Sequence, residues 1–236
     1  MAMDLIGIYL REAFQGTGCP ICRIVEKYER EVIGHILYEH INSPSVREKF
    51  SESLGLCPYH AWKLKDIAYS NPLYGGLGVA IIYEHMLSIY LNALKDEKKI
   101  EDGKCYLCEL TEVKEKHTVE ATVDRMDKLI EDYRNSEAIL CKKHFEEIEV
   151  KLRRKNPELA EELKKVQIGK LEKIKTLMHL FIEKFDYRAT KAPTEQEASS
   201  VPKAIESLKG LPLQINFVKR QKQHSILRGV LLGNRD

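Results

Sequence analysis

The chain has 236 residues, enough to bury one large core or two small ones. A hydrophobic fraction of 43% and a charged fraction of 31% exclude a disordered protein, and a formal net charge of +2 gives no overall attraction to nucleic acid or membranes. The N-terminus lacks the basic and apolar regions of a secretory signal. The longest apolar run near the middle, Val79–Tyr83, is far shorter than the roughly 20 residues that span a bilayer. We therefore expect a cytoplasmic protein without membrane contact.

The first part of the chain predicts four helices. Apolar residues at three- and four-residue spacing, together with Gly and Pro stops, place them at about 4–16, 19–41, 44–54 and 57–70. Two of these helices begin with Cys-Pro, at Pro20 and Pro58. Proline is favoured at the first helical position because its missing N–H would have no partner there.

Further helices are predicted over 73–98, 105–133, 141–154, 157–185 and 202–209. The helix at 73–98 is apolar nearly all round, which favours a central core helix. Asn156-Pro157 is a strong helix start, and we expect the helix after it to be the longest. The polar stretch Thr190–Ser200 is interpreted as a linker. The tail from Leu211 carries several cations, which we interpret as solvated and not as a nucleic-acid-binding arm. The fold class is therefore all-α.

Two cysteine–histidine patterns use all six cysteines of the chain and two of its eight histidines. In each, a CxxC motif is followed by a CxxH motif after a spacer of 34 residues in the first pattern and 32 in the second. The first pattern is Cys19, Cys22, Cys57 and His60; the second is Cys105, Cys108, Cys141 and His144. The repeated spacing predicts two four-ligand metal sites.

Three thiolates and one imidazole form a closed tetrahedral shell suited to zinc, so we predict two structural zinc ions, one for each pattern. A CxxC at a helix start suits this role because the free N–H groups and the helix dipole favour thiolate. The alternatives are an iron–sulfur cluster, a thiol–disulfide function of the CxxC pairs, and sites that form between the patterns or share a binuclear centre.

The two halves of the chain align around these motifs, which predicts an internal repeat. The alignment also matches Glu26 with Glu112 and Glu29 with Glu115. We expect a helical bundle of two CxxC…CxxH helical repeats followed by a long C-terminal helix. The predicted segments are 1–72, with the first metal-binding repeat; 73–188, with the central helix, the second repeat and the long helix; and 189–236, with a linker, a short helix and the tail.

The order of CPIC, GLCPYH, CYLC, CKKH and then Phe185-Asp186-Tyr187-Arg188 resembles a bacterial and archaeal family of uncharacterised proteins, DUF6062. The resemblance covers about residues 4–210. It supports the eight candidate ligands and implies no activity. We interpret Phe185–Arg188 as a docking or capping element in which Asp186 pairs with Arg188 and Tyr187 acts as an anchor.

The sequence contains no GxSxG, HExxH, Walker loop or paired-carboxylate motif. The leading hypothesis is therefore a non-enzymatic binding or scaffold protein with a protein partner of unknown identity. A redox protein with iron–sulfur clusters or reactive cysteine pairs is the second hypothesis. An enzyme that uses Glu84 and His85 is the third. Nucleic acid is not an expected partner, and the oligomeric state is left open.

Overall fold

The structure is a computed structural model that describes residues 5–100, 103–187 and 191–213. The described part contains nine α-helices, one π-helical segment and two short strands, which confirms the all-α class. The helices are α1 (Leu5–Gln15), α2 (Pro20–His35), the π-helical segment (Ile36–His40), α3 (Pro44–Ser51), α4 (Pro58–Ser70), α5 (Leu77–Lys95), α6 (Tyr106–Asn135), α7 (Lys142–Lys155), α8 (Pro157–Glu183) and α9 (Glu195–Lys209). The strands are β1 (Thr17–Gly18) and β2 (Glu137–Ala138).

The helix boundaries follow local signals in the sequence. Pro58 occupies the first turn of α4, directly after Cys57, as the Cys-Pro pair predicts. The Asn156 side chain caps α8 by accepting a hydrogen bond from the Leu159 N–H at 3.1 Å. Gly55 has φ +104°, a conformation that favours glycine, and it ends the turn after α3.

The described residues form two compact units. The first unit consists of residues 5–24 and 115–213, and the second of residues 25–114. The first buries a core that includes Phe14, Met126, Tyr133, Ile148 and Leu163. The second buries a core that includes Ile33, Phe50, Leu64, Ile82 and Met86. The first unit is therefore built from two separate stretches of the sequence, and the second from one continuous stretch.

The structure differs from the sequence prediction for α5. This helix is shorter than predicted, and only Ile82 and Met86 of it are fully buried. It is therefore not a central core helix, because one apolar face packs on the second unit and another is exposed. In the described part of the chain, α5 is the one helix with the length and mean hydropathy (1.4) to cross a membrane; 11% of that stretch is buried.

Two predictions about the later helices were wrong. The longest helix in the described residues is α6, with 30 residues, and not α8, with 27. Residues 195–200 belong to α9 and not to a linker, because Thr194 and Glu197 form a reciprocal capping box. Pro202 lies inside this helix. The predicted basic tail beyond residue 213 and the predicted partner Arg188 lie outside the described residues.

Candidate metal centres

The eight predicted ligands form two clusters, but not in the predicted combination. Each cluster joins the CxxC of one pattern to the CxxH of the other pattern. Cluster A consists of Cys19, Cys22, Cys141 and His144, and cluster B of Cys57, His60, Cys105 and Cys108. The prediction that each pattern forms its own site was therefore wrong. Cluster A lies within the first unit and cluster B within the second.

The four donor atoms of each cluster lie within 4.8 Å of one another. In cluster A the Cys22 and Cys141 sulfurs are 3.9 Å apart, and in cluster B the Cys57 and Cys108 sulfurs are 3.7 Å apart. Sulfur ligands at about 2.3 Å from one tetrahedral ion are roughly 3.8 Å apart, so both clusters have the dimensions of a single-ion site. The separations exceed a disulfide bond length, and all six cysteines are free thiols.

Each histidine presents Nδ1 to the sulfurs. In cluster A, His144 Nδ1 lies 3.2 Å from the Cys141 sulfur and 3.3 Å from the Cys19 sulfur. In cluster B, His60 Nδ1 lies 3.2 Å from the Cys57 sulfur. Both imidazoles are completely buried, so their orientation is fixed by packing as well as by these contacts.

The strands β1 and β2 bring the two parts of cluster A together. Thr17 pairs with Glu137 and Gly18 with Ala138 in a parallel ladder, and the Ile139 N–H donates to the Gly18 carbonyl at 2.9 Å. One strand leads directly into the CxxC turn and the other into the CxxH turn. The ladder therefore sets the position of one motif against the other.

The backbone that enters the CxxH turn of cluster A is also held by buried side chains. The Leu140 N–H donates to the Tyr133 hydroxyl at 3.0 Å, and the Gln167 amide donates to the Leu140 carbonyl at 2.9 Å. The Tyr133 hydroxyl in turn donates to Gln167. Phe14 packs edge-on against the Tyr133 ring, with ring centroids 5.6 Å apart. These residues stabilise the segment that connects β2 to Cys141 at the start of α7.

Glu206 is a supporting residue that the sequence analysis did not identify. Its carboxylate accepts a hydrogen bond from the Cys19 N–H at 2.9 Å and pairs with Arg23 at 3.0 Å. Gly18 makes room for it, because a Cβ at this position would lie 2.3 Å from the Glu206 carboxylate. Gly18 also has φ +72°, which favours glycine. α9 thus supports the CxxC turn of cluster A.

In cluster B, the chain before the CxxC motif passes directly against the chain before the CxxH motif. A Cβ on Gly103 would lie 2.0 Å from the Glu52 carbonyl oxygen. This close approach corresponds in position to the strand ladder of cluster A, since both precede the two ligand turns. A side chain at residue 103 would separate the two ligand pairs.

A buried carboxylate lies beside the other ring nitrogen of each histidine. In cluster A, His144 Nε2 lies 2.8 Å from Glu115, which also pairs with Lys143. Burial raises the pKa of Glu115, but the hydrogen bond from His144 and the charge of Lys143 lower it to about 2. A carboxylate–histidine pair of this kind orients a metal-binding imidazole and makes it more basic.

A similar pair occurs in cluster B, although there the ring nitrogen and the carboxylate oxygen are close without the alignment of a hydrogen bond. His60 Nε2 lies 3.0 Å from Glu29, and the Lys63 ammonium lies 2.7 Å from the same carboxylate. Burial raises the pKa of Glu29, but its contacts with His60 and Lys63 lower it overall. The alignment of Glu29 with Glu115 therefore corresponds to a shared structural role, although the sequence did not indicate which role.

The position of Glu29 explains why the first CxxC and the first CxxH do not meet. Glu29 follows Cys19 by 10 residues along α2. Cys19 belongs to the first unit and Glu29 to the second. Because Glu29 contacts His60, the first CxxH packs against the part of α2 that belongs to the second unit. The relation of Glu115 to Cys105 on α6 is the same.

The pKa shifts of the cluster B residues favour a positively charged group among the three sulfurs. Burial lowers the pKa of His60, but contacts with Cys105 and its other neighbours raise it to about 11. Hydrogen bonds with Cys108 and Cys57 lower the pKa of Cys105. The hydrogen bond with Cys105 raises the pKa of Cys108 in return. Three adjacent thiolates repel one another, and a bound cation would remove that repulsion.

Cluster A shows the same pattern. Burial lowers the pKa of His144, but hydrogen bonds to Cys141 and Cys22 raise it well above its ordinary value. Burial raises the pKa of Cys19, whereas hydrogen bonds with Cys19 and Cys22 lower that of Cys141. Donor type, spacing and charge in both clusters therefore fit a metal cation.

Other candidate residues do not form a site of this quality. Glu84 is exposed, while the Nδ1 atom of His85 is buried without a hydrogen-bond partner among the described residues. Neighbouring residues on a helix point in different directions, so these two do not form a facing pair.

Tyr187 is 89% exposed and is not a buried anchor, and the Phe185 ring contacts Phe181 edge-on at a centroid distance of 5.0 Å.

We expect Glu115→Gln to weaken metal binding at cluster A by about 10- to 100-fold, because the amide supports the imidazole less strongly than a carboxylate. Competition with a chromophoric chelator measures the change. Glu112→Gln is the matched control, since Glu112 is exposed on the same helix and the charge change is identical. Equal affinities of the two variants would contradict a role for Glu115 in cluster A.

The fold and these clusters define an all-α protein with two Cys3His clusters, each of which could hold a metal ion. Residues 1–214 match the family described as "Family of unknown function (DUF6062)", and the chain belongs to this family. The resemblance noted from the motifs is thereby confirmed. No curated protein and no solved structure matches the chain. Its function must therefore be argued from its own residues.

Proposed function

We propose that the protein is a non-enzymatic binding or scaffold protein, with one structural zinc ion in each of its two units. The observation that carries the proposal is the geometry of the donors: three sulfurs and one imidazole nitrogen, all within 4.8 Å of one another. Zinc in a closed shell of this kind cross-links the segments that supply its ligands. In both clusters those segments are far apart in the sequence.

The closed shell supports a structural role over a catalytic one. Catalytic zinc sites use three protein ligands and leave a position for water or substrate. Here four protein donors surround each centre, and in cluster A all four residues are buried. We expect this protein to be cytoplasmic, because a reducing compartment keeps cysteines available as metal ligands.

A redox protein is the second candidate. An iron–sulfur cluster contains several metal and sulfide atoms, so its ligand atoms must stand further apart than around one ion. The donor spacing therefore supports a single ion. Thiol chemistry is favoured by one observation, the partial exposure of Cys57 and Cys108, whose sulfurs are 3.7 Å apart. Bound zinc would suppress that chemistry, because it occupies both thiolates.

Metal content and visible absorption of protein purified without air test this proposal. We expect about two zinc ions per chain, no visible absorption and no titratable thiol until a chelator is added. Iron with sulfide and a brown colour would identify an iron–sulfur protein and contradict the proposal. Metal-free protein that is well folded and has six reactive thiols would favour the thiol-based function.

A further inference from the structure

The helix α5 carries an exposed stripe that no other described residue covers. We call this stripe the α5 seam; its members are Leu77, Ala80, Glu84, Leu87, Leu91 and Leu94. The four leucines of the seam are 52–72% exposed. Four exposed leucines along one stripe of this length are unusual on a monomeric protein and are typical of an interaction site.

The opposite face of α5 is firmly packed. Ile82 and Met86 are buried in the core of the second unit, and Val79, Tyr83 and Ile89 pack against that core. Gly78 allows close approach, because a Cβ there would lie 2.6 Å from Ile41. The helix is thus held in place by one face while the seam points outward. Exposure of the seam is a property of the folded unit and not of a detached helix.

The spacing of the seam favours another helix as its partner. Successive members are separated by three, four, three, four and three residues, which is the alternation of the two core positions of a coiled coil. A helix that lies on a lipid surface has a wider apolar face bordered by Lys and Arg. The seam instead has the carboxylate of Glu84 at its centre, where contact with acyl chains would be costly.

We infer that α5 pairs in antiparallel orientation with α5 of a second copy of this chain. The spacing of the seam is the same in both directions, so a two-fold axis between residues 85 and 86 places each member opposite another member. Leu77 then faces Leu94 of the second copy, Ala80 faces Leu91, and Glu84 faces Leu87. Such self-complementarity is what a two-fold symmetric interface requires.

Charge decides between the two possible orientations. In a parallel pair, equivalent residues face each other, so Glu84 would meet Glu84 of the second copy at the centre of the interface. In the antiparallel pair, Glu84 instead faces Leu87 of the second copy, so the two Glu84 carboxylates do not lie directly opposite each other. A single polar residue at a seam position lowers stability but fixes the register.

The available area is sufficient for a dimer of moderate affinity. The seam covers 18 residues of α5, or about 27 Å of helix. Together with Leu73, which is 80% exposed, and Tyr90, 45% exposed, it offers on the order of 600 Å² per copy, at the lower limit for stable complexes. We therefore expect a dimer that forms at micromolar concentration. The inference goes beyond the proposed zinc sites and does not depend on which metal they bind.

Two substitutions of one residue test both the surface and the orientation. Leu87→Glu places a second acid opposite Glu84 and is expected to raise the dimer Kd at least about 100-fold. Leu87→Lys places a cation opposite Glu84 of the second copy and is expected to keep the Kd within about 10-fold of the unchanged protein. Sedimentation equilibrium at about 1–100 µM measures both.

Leu208→Glu on α9 is the matched control, since Leu208 is 58% exposed outside the seam, and it is expected to leave the Kd unchanged. Circular dichroism and metal content, which should stay constant in all variants, separate loss of association from loss of fold or of the zinc sites. A monomeric unchanged protein, a dimer insensitive to Leu87→Glu, or equal disruption by the two Leu87 variants would overturn the inference. A flotation assay with phosphatidylcholine–phosphatidylglycerol vesicles tests the membrane alternative. If the unchanged protein is monomeric and floats with the vesicles, and the Leu87→Glu variant does not, the seam binds a membrane surface instead.

Discussion

A variant in which Cys19 and Cys141 are both replaced by alanine is expected to retain one tightly bound metal ion per chain. A variant that lacks Cys19 and Cys57 is expected to retain none. The first variant removes two thiolates from cluster A and leaves cluster B intact. The second variant removes one thiolate from each cluster. Loss of a thiolate leaves three ligands and an open position, which a competing chelator can attack.

Metal content after dialysis against a chelator distinguishes the two variants directly. The single variant Cys19→Ala is the control. It should retain one ion, as should the variant that lacks both Cys19 and Cys141. If each sequence pattern formed its own site, the two double variants would exchange their behaviour, because Cys19 and Cys57 belong to the same pattern. That result would refute the grouping seen in the structure.

The identity of the ligands could be predicted from the sequence, but their grouping could not. Spacers of 34 and 32 residues are long enough for a helical hairpin, so they permit either combination. The grouping is decided by contacts between residues distant in sequence. Glu29 draws the first CxxH to the part of α2 that belongs to the second unit, and the ladder of Thr17 with Glu137 draws the first CxxC to the second CxxH. Neither contact has a local signal in the sequence.

Helix starts were the most predictable feature of the fold, because each depends on a few adjacent residues. Pro58 and the Asn156 cap are such cases. The start of α9 had an equally local signal, the capping box of Thr194 and Glu197, but the polar composition around it concealed the helix. Composition is a weaker guide than the capping pattern, because a surface helix can be polar on most of its face.

The role of α5 could not be deduced from its hydropathy. A helix that is apolar nearly all round fits burial inside a monomer, burial against a second copy, and contact with lipid equally well. The structure excludes only the first possibility, complete burial inside a monomer, by showing which face is packed. Ile82 and Met86 face the core, while Leu87 and Leu91 do not. The heptad spacing is visible in the sequence, but it gains meaning only once the packed face is known.

Removal of metal from the intact protein is expected to release the ion of cluster B before that of cluster A. All four ligand residues of cluster A are buried, whereas Cys57 and Cys108 of cluster B are partly exposed. A chelator can therefore approach cluster B without prior unfolding of the unit around it. With a chromophoric chelator, we expect two phases of release, and the fast phase should be absent from Cys57→Ala.

The loss of each ion is expected to abolish cooperative unfolding of the unit that contains it. Domains are stable by about 5–15 kcal/mol, and structural zinc in small peptides binds with about 10–16 kcal/mol, so the metal can contribute as much as the whole net stability. The helical signal in circular dichroism should fall in step with metal release and recover when zinc is added back. A metal-free protein that still unfolds cooperatively within a few degrees of the metal-bound form would show that the clusters are not structural. That result would favour a function based on reactive thiols and not on bound zinc, because the partly exposed cysteines of cluster B would be available for reaction.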